Sequence, residues 1–340
     1  MTKLKFAAIG VDHRHIFGMA QNLLNEGAVF TGFHTEGEPE TLSGFTKRFS
    51  DVPRIHHVSQ LLDDPDIQLI VLSGVPVDRA GWAIKAMEVG KDVMSDKPGC
   101  TTLEQLQNIK DCVNRTQRIW SIDFSERFEV PAVTKATELI EQCAIGKVVQ
   151  TVGLGPHRLN RPSRPSWFFN RESYGGIITD IGSHQIDQFL FFTGCDDAEV
   201  VTAHVANYAN QADPGLQDFG EIVLRGKNAH GYIRVDWYTP DALPTWGDGR
   251  LTILGTDGYI ELRKYVDVGG VNEEDTDHLV LVNGNTCEKI DASDAGMPYF
   301  RKLINDIEHR TQTAMSQSHA FKVCELALKA QALAESRIAS

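Results

Sequence analysis

Four short runs hold residue types that can do chemistry at spacings that matter. The first is Gly10-Val11-Asp12-His13-Arg14-His15. It lies between an apolar run at 4–10 and a helical pattern at 16–26. A dinucleotide sets its pyrophosphate at such a turn, because a helix N-terminus offers unpaired N–H groups and partial positive charge. The usual pattern is G-x-G-x-x-G, and only its first glycine is present. Asp12 stands at the second position, where a side chain and a negative charge both oppose a diphosphate. Arg14 could compensate by charge. The run reads equally well as a capped turn with His13 and His15 exposed. His13 and His15 also raise the question of a metal. No third ligand stands at a recognisable spacing, and His56-His57 could join only through the fold, so no metal site is expected.

The second run is Asp96-Lys97-Pro98, just beyond a strand pattern at 91–95. A lysine there can donate to a substrate hydroxyl and lower its pKa. It can equally be a surface lysine in a strand–helix turn. The third is YGGIITDIGSHQID from Tyr174, where Asp180, His184 and Asp187 stand at i, i+4 and i+7. On a regular helix these fall within about 60° of one another. A carboxylate–imidazole–carboxylate stripe suits a general base with an orienting partner. An N-capping Asp180 and a structural His184 fit the same pattern. The fourth, 156–173, is rich in Pro and Arg and least regular. It reads as a loop over a cleft, with His157, Arg158, Arg164 and Trp167, and Asp187 from the helix, as candidate substrate contacts.

The elements that must position these runs change character midway. Strand patterns at 4–10, 28–34, 67–73, 91–95 and 118–124 alternate with helical ones at 16–26, 39–49, 77–89 and 102–115. That alternation predicts βαβ units and a parallel sheet. Gly10, Ser73 and Asp96–Lys97 then sit beyond strand ends, at one crevice. From about 147 the period shifts toward two, with strands at 147–154, 199–208, 218–225, 230–238, 250–255 and 258–263. Helices are expected near 131–142, 177–192, 298–310 and 319–336. The fold expected is α/β: a Rossmann domain over 1–124 and an α+β domain over 125–340 with a large, mostly antiparallel open sheet.

Composition narrows the class. Of 340 residues, 33 are Lys or Arg and 46 are Asp or Glu, a formal charge of −13 that repels phosphate backbones and anionic lipid. No nucleic-acid or membrane partner is expected. Six scattered cysteines without a C-x-x-C pair suit free thiols in a reducing cytoplasm. No signal-peptide pattern opens the chain.

With these runs in order, the chain resembles the glucose-fructose oxidoreductase/inositol dehydrogenase (Gfo/Idh/MocA) family. The likeness rests on the Gly10 turn, GKDVMSDKPG at 90–99, ERF at 126–128 with IGKVV at 145–149, GGIITDIGSHQIDQFLFFTG at 175–194 and LGTDGYIEL at 254–262. It implies hydride transfer between a nicotinamide nucleotide and a secondary hydroxyl or carbonyl of a sugar, sugar acid or cyclitol. It implies Lys97, Asp180 and His184 as catalytic residues. It implies a cofactor wall of Gly10, Asp12, His13, Arg14, His15, Thr35, Glu36, Ser73, Pro76, Asp96 and Lys97. Glu36, Glu38 and Glu40 would repel a 2′-phosphate, so NAD is expected rather than NADP. The resemblance also implies a homodimer or homotetramer through the C-terminal sheet. A redox-type glycosidase that retains NAD, and a non-catalytic nucleotide or sugar sensor, are the alternatives.

Overall fold

The computed structural model describes residues 3–270 and 278–337. The chain opens with β1 (Lys5–Ile9), α1 (Ile16–Asn25), β2 (Val29–His34), α2 (Leu42–Arg48), α3 (Ser59–Leu62) and β3 (Leu69–Leu72). It continues with α4 (Pro76–Glu88), β4 (Asp92–Asp96), α5 (Leu103–Thr116) and β5 (Trp120–Asp123). Then come α6 (Ser125–Phe128), α7 (Pro131–Glu141), β6 (Val148–Pro156), α8 (Arg171–Tyr174), a π-helical turn at Ile178–Gly182 and α9 (Ser183–Thr193). The strands β7 (Ala198–Ala206), β8 (Phe219–Gly226), β9 (His230–Asp236), β10 (Arg250–Gly255) and β11 (Gly258–Arg263) follow. Finally come β12 (His278–Asn283), β13 (Cys287–Asp291), α10 (Tyr299–His309) and α11 (Gln317–Ser336).

The chain divides into two units. The first holds 1–123, 165–175 and 299–324; the second holds 124–164, 176–298 and 325–340. Neither is continuous in sequence. Periodicity marks an element but not which core its apolar stripe joins.

The first unit is built on a five-stranded sheet in the order β2-β1-β3-β4-β5, parallel throughout. Every residue of β3 is buried, as its unbroken apolar run requires of a strand covered on both faces. In α1 the buried residues are Ile16, Met19, Ala20 and Leu23, one helical stripe. Chain order reverses between β1 and β3, and ligands of open parallel sheets bind at such a point.

The second unit is built on an eight-stranded sheet in the order β13-β12-β11-β10-β6-β9-β8-β7. Only β6 and β9 pair in parallel. The strands β12 and β13 were not among the expected ones. In β13 no residue is fully buried, so it has little alternating pattern to read. Val133 and Ala136 of α7 join Leu251, Ile253, Ile260, Leu262 and Leu279 in one apolar core.

Candidate active-site residues

In the first unit the chemistry gathers at the carboxyl ends of β1, β3 and β4. Gly10 has φ +76°, and a Cβ added there would fall 2.4 Å from Cα of Gly74, so the two turns meet backbone to backbone. A cavity beside them is lined by Gly10, Asp12, Thr35, Glu36, Gly74 and Trp82. Thr35 accepts from the Val11 amide at 3.4 Å. Glu36 is almost fully exposed just beyond β2, its carboxylate 3.7 Å from His34 Nε2. Burial raises the pKa of Asp12, whose carboxylate lies 3.5 Å from the position a Gly10 Cβ would take. Asp12 and Glu36 thus place two carboxylates on the lining of this cavity.

Asp96 organises the rest. It is fully buried, and Arg79 (1% exposed) donates to its Oδ2 at 3.0 Å. The same guanidinium reaches the carbonyls of Gly74, Lys97 and Pro98 at 2.9, 2.5 and 3.2 Å. One buried cation thus ties the β3–α4 turn to the Asp96-Lys97-Pro98 turn. The Ser73 hydroxyl lies 3.2 Å from Asp96 Oδ2 and from the His13 carbonyl. His15 Nδ1 sits 2.8 Å from Oδ1. His13 Nδ1 sits 2.8 Å from Oδ2 but out of line for a hydrogen bond. Burial holds Asp96 back from ionising, but Arg79 and then the two histidines keep its pKa well below the usual carboxylate range. Burial drives the pKa of His13 down to about 3, against the opposing pull of the Asp96 carboxylate.

Several expectations change here. Ser73 and Asp96 are fully buried and spend their side chains on the turns, so they support the cofactor wall and do not face it. Pro76 opens α4 and is buried. Arg14 is exposed. The third ligand type missing beside His13 and His15 is Asp96: one donor atom from each of the three lies within 4.8 Å of the others. Arg79 and Ser73 already occupy that carboxylate, so the geometry is a carboxylate clamp on the β1–α1 turn. Lys97 is 3% exposed in this frame. Arg79 is the residue the sequence reading missed. Its signal is a lone arginine on the stripe Pro76, Arg79, Ala80, Ala83 and Ala86–Met87 that α4 buries.

In the second unit the segment 176–193 carries Asp180 and His184. Gly176 has φ +89°, and a Cβ there would fall 2.3 Å from the Gln331 side chain. Gln217 and Gln331 accept from the amides of Ile177 and Ile178 at 3.1 and 3.0 Å. A π turn follows, so the regular-helix arithmetic that put Asp180, His184 and Asp187 on one face does not hold; such turns recur at functional sites. Asp180 and His184 are 7% and 1% exposed. Asp187 is fully buried, and both its oxygens accept from Arg127, at 2.6 and 2.7 Å. That corrects its expected part in substrate binding: it anchors α6 to α9.

The irregular segment divides. Trp167 belongs to the first unit, 6.4 Å from His13 between ring centres. His157, Arg158 and Arg164 belong to the second. Arg158 donates to the carbonyls of Pro240 and Leu243, and Arg164 to those of Leu159 and Arg158. Both brace the loop through these bonds. The His157 ring lies 4.5 Å from Trp246 and 5.3 Å from Trp237. Glu126, from ERF, is a second missed residue. It is 1% exposed and accepts from Lys264 at 2.8 Å and Gln185 at 2.6 Å.

Comparison with known proteins matches both halves. Residues 20–124 match the model of an oxidoreductase family with an NAD-binding Rossmann fold. Residues 133–261 match the GFO/IDH/MocA C-terminal domain. Levoglucosan dehydrogenase of Pseudarthrobacter phenanthrenivorans is 30% identical over 59% of this chain and 52% of its own length. The NAD(+)-dependent scyllo-inositol 2-dehydrogenase of Bacillus subtilis is 26% identical over 59% of this chain and 56% of its own. The chain thus spans about half the length of these curated relatives. A crystal structure from Erwinia carotovora atroseptica is 45% identical, covers 98% of this chain and 99% of that one, and superposes with a TM-score of 0.93. Levoglucosan dehydrogenase in complex with NADH and levoglucosan shares the fold at 20% identity and a TM-score of 0.80, over 99% of this chain and 98% of that one. Matched in both its nucleotide-binding and its C-terminal region, this chain belongs to the GFO/IDH/MocA family of oxidoreductases.

Proposed function

We propose that the protein is a nicotinamide-dependent dehydrogenase of a secondary hydroxyl on a sugar, sugar acid or cyclitol. The observation that carries this reading is the buried Lys97 at the carboxyl end of β4, locked by Arg79 within a Rossmann unit that keeps the Gly10 cavity. When bound, the nicotinamide supplies the hydride acceptor for the oxidised carbon. Lys97 stabilises the negative charge that develops on the substrate oxygen, a term that is large in a site without water. His184 takes the hydroxyl proton on a ring nitrogen, and Asp180 supports the charge it acquires. Thr35 and Glu36 bind the adenosine ribose. Glu36 favours NAD, since its carboxylate would repel a 2′-phosphate; relatives include NAD(+) and NADP(+) enzymes. Asp12 on the diphosphate path favours a second reading, a nucleotide or sugar sensor without turnover.

The exposed Val201, Leu254 and Tyr259 on the eight-stranded sheet support a homodimer or homotetramer through that sheet. Sedimentation of the purified protein checks this. Six free cysteines suit the cytoplasm, and no described helix is long and apolar enough to cross a membrane.

Titration with NADH and NADPH, read by energy transfer from the tryptophans, is the first test, followed by a polyol and sugar screen. Saturable NADH binding is expected. Lys97→Met should cut turnover by roughly 10²–10³-fold with little change in nucleotide affinity. If neither nucleotide binds to protein shown to retain none, the sensor reading replaces the enzyme.

A further inference from the structure

The cavity beside Gly10 has His34, the last residue of β2, on its wall. This residue takes no part in the proposed hydride and proton transfers. It is 8% exposed. Its Nδ1 lies 2.9 Å from the carbonyl oxygen of Ile55. A carbonyl can only accept, so Nδ1 carries a proton. In the neutral ring Nε2 is then the nitrogen with the lone pair. That atom is buried and makes no hydrogen bond. Among the described residues, the charged group within 4 Å of it is the Glu36 carboxylate, at 3.7 Å. Two lone-pair groups therefore stand side by side with no proton between them. A proton on Nε2 turns the contact into an ion pair and compensates the charge of Glu36.

The other charges near His34 are engaged elsewhere or share the sign of Glu36. Arg54, next to Ile55, donates to Glu38 and to the carbonyls of Thr35 and Gly37. Arg79 on α4 is held by Asp96. Asp12 and Asp78 line the same cavity. His56 and His57 are exposed beyond Ile55. Of the helices packed on β2, α1 and α3 carry no charged residue. Lys5 of β1 pairs with Asp66 at the opposite end of the strand from His34.

We propose that His34 sets the choice between NAD and NADP by its charge: beside a neutral ring the Glu36 carboxylate rejects a 2′-phosphate, and beside a protonated ring the His34–Glu36 ion pair admits it. This rests on the reading of Glu36 as the group that meets the adenosine ribose. A histidine can change charge between about pH 5 and 8, so the preference for NAD narrows as the medium becomes acid. By linkage, NADP(+) raises the proton affinity of His34 by the factor by which the protonated ring favours it.

Calorimetric titration of the full chain with NAD(+) and NADP(+), from about pH 8.5 to about pH 5.5, tests this. The ratio of the two affinities should narrow by roughly tenfold in the wild type. The 2′-phosphate takes up a proton of its own near pH ~6. His34→Gln cannot titrate and supplies that baseline, and its ratio should narrow by much less. Equal narrowing in both proteins, or none in the wild type, overturns the proposal. Where His34→Gln does not fold, the histidines of the wild type and of Glu36→Gln are titrated by NMR instead. The Glu36 side chain is 90% exposed, so that substitution leaves the fold in place. One histidine should lose proton affinity by roughly tenfold in Glu36→Gln and, in the wild type, gain it with NADP(+) but not with NAD(+). If no histidine does both, the proposal is overturned. If neither nucleotide binds at any pH, the reading of the cavity as a cofactor site falls and takes this role with it. If both bind with a ratio independent of pH, only the role of His34 falls.

Discussion

At the scale of single residues, the two units handle buried charge differently. Asp96 is surrounded: Arg79, Ser73 and two imidazoles take both of its oxygens. Glu126 is paired on one side only. Glu126 also makes stability depend on acid. Its pKa falls from 4.5 to about 2 on folding, so its contribution is complete above about pH 4.5 and is lost as pH drops toward 2. The stability gap between wild type and Glu126→Gln should shrink by about 3 kcal/mol across that window. Denaturant melts at a series of pH values check this. A gap independent of pH would mean that the carboxylate titrates normally in the fold.

At the scale of elements, the turns that hold the candidate residues are fixed by partners elsewhere in the chain. The Asp96-Lys97-Pro98 turn is held by Arg79 on α4. Arg79→Met leaves Asp96 charged and three carbonyls without their donor. We expect about 3–5 kcal/mol of lost stability in urea unfolding. Adding Asp96→Asn should recover part of it, because the uncompensated charge goes. A single variant as stable as wild type would show that the guanidinium is not what fixes the turn. The π turn before α9 works in the same way. It depends on Gln217 and Gln331, remote in sequence, to receive the amides at its start.

At the scale of the molecule, each unit has its own sheet and its own core. A nucleotide held by the first unit stabilises it by mass action, about 2.7 kcal/mol at one hundred times the dissociation constant. NADH should therefore raise the melting temperature by a few degrees, and more than NADPH at equal concentration. Differential scanning calorimetry measures both. Equal shifts would remove the role given to Glu36. The formal charge of −13 acts at this scale too, and disfavours polyanionic partners.

The alternation of short apolar runs with helical stripes was enough to read the parallel sheet, but its strand order came from the tertiary structure. The burial of both faces of β3 and of one face of α1 leaves a direct mark on residue order. Lys97, Asp180 and His184 stood out as candidates only because their motifs stand in one order along the chain. What the sequence could not give depends on contacts between distant positions. Asp96 meets His13 and His15 across more than eighty residues, and Glu126 meets Lys264 across 138. No local period encodes such pairs. The same holds for Asp187, whose residue type suggests a ligand and whose partner, the buried Arg127, makes it a support. Local pattern records which face of an element is buried; only the tertiary structure decides which buried charges meet.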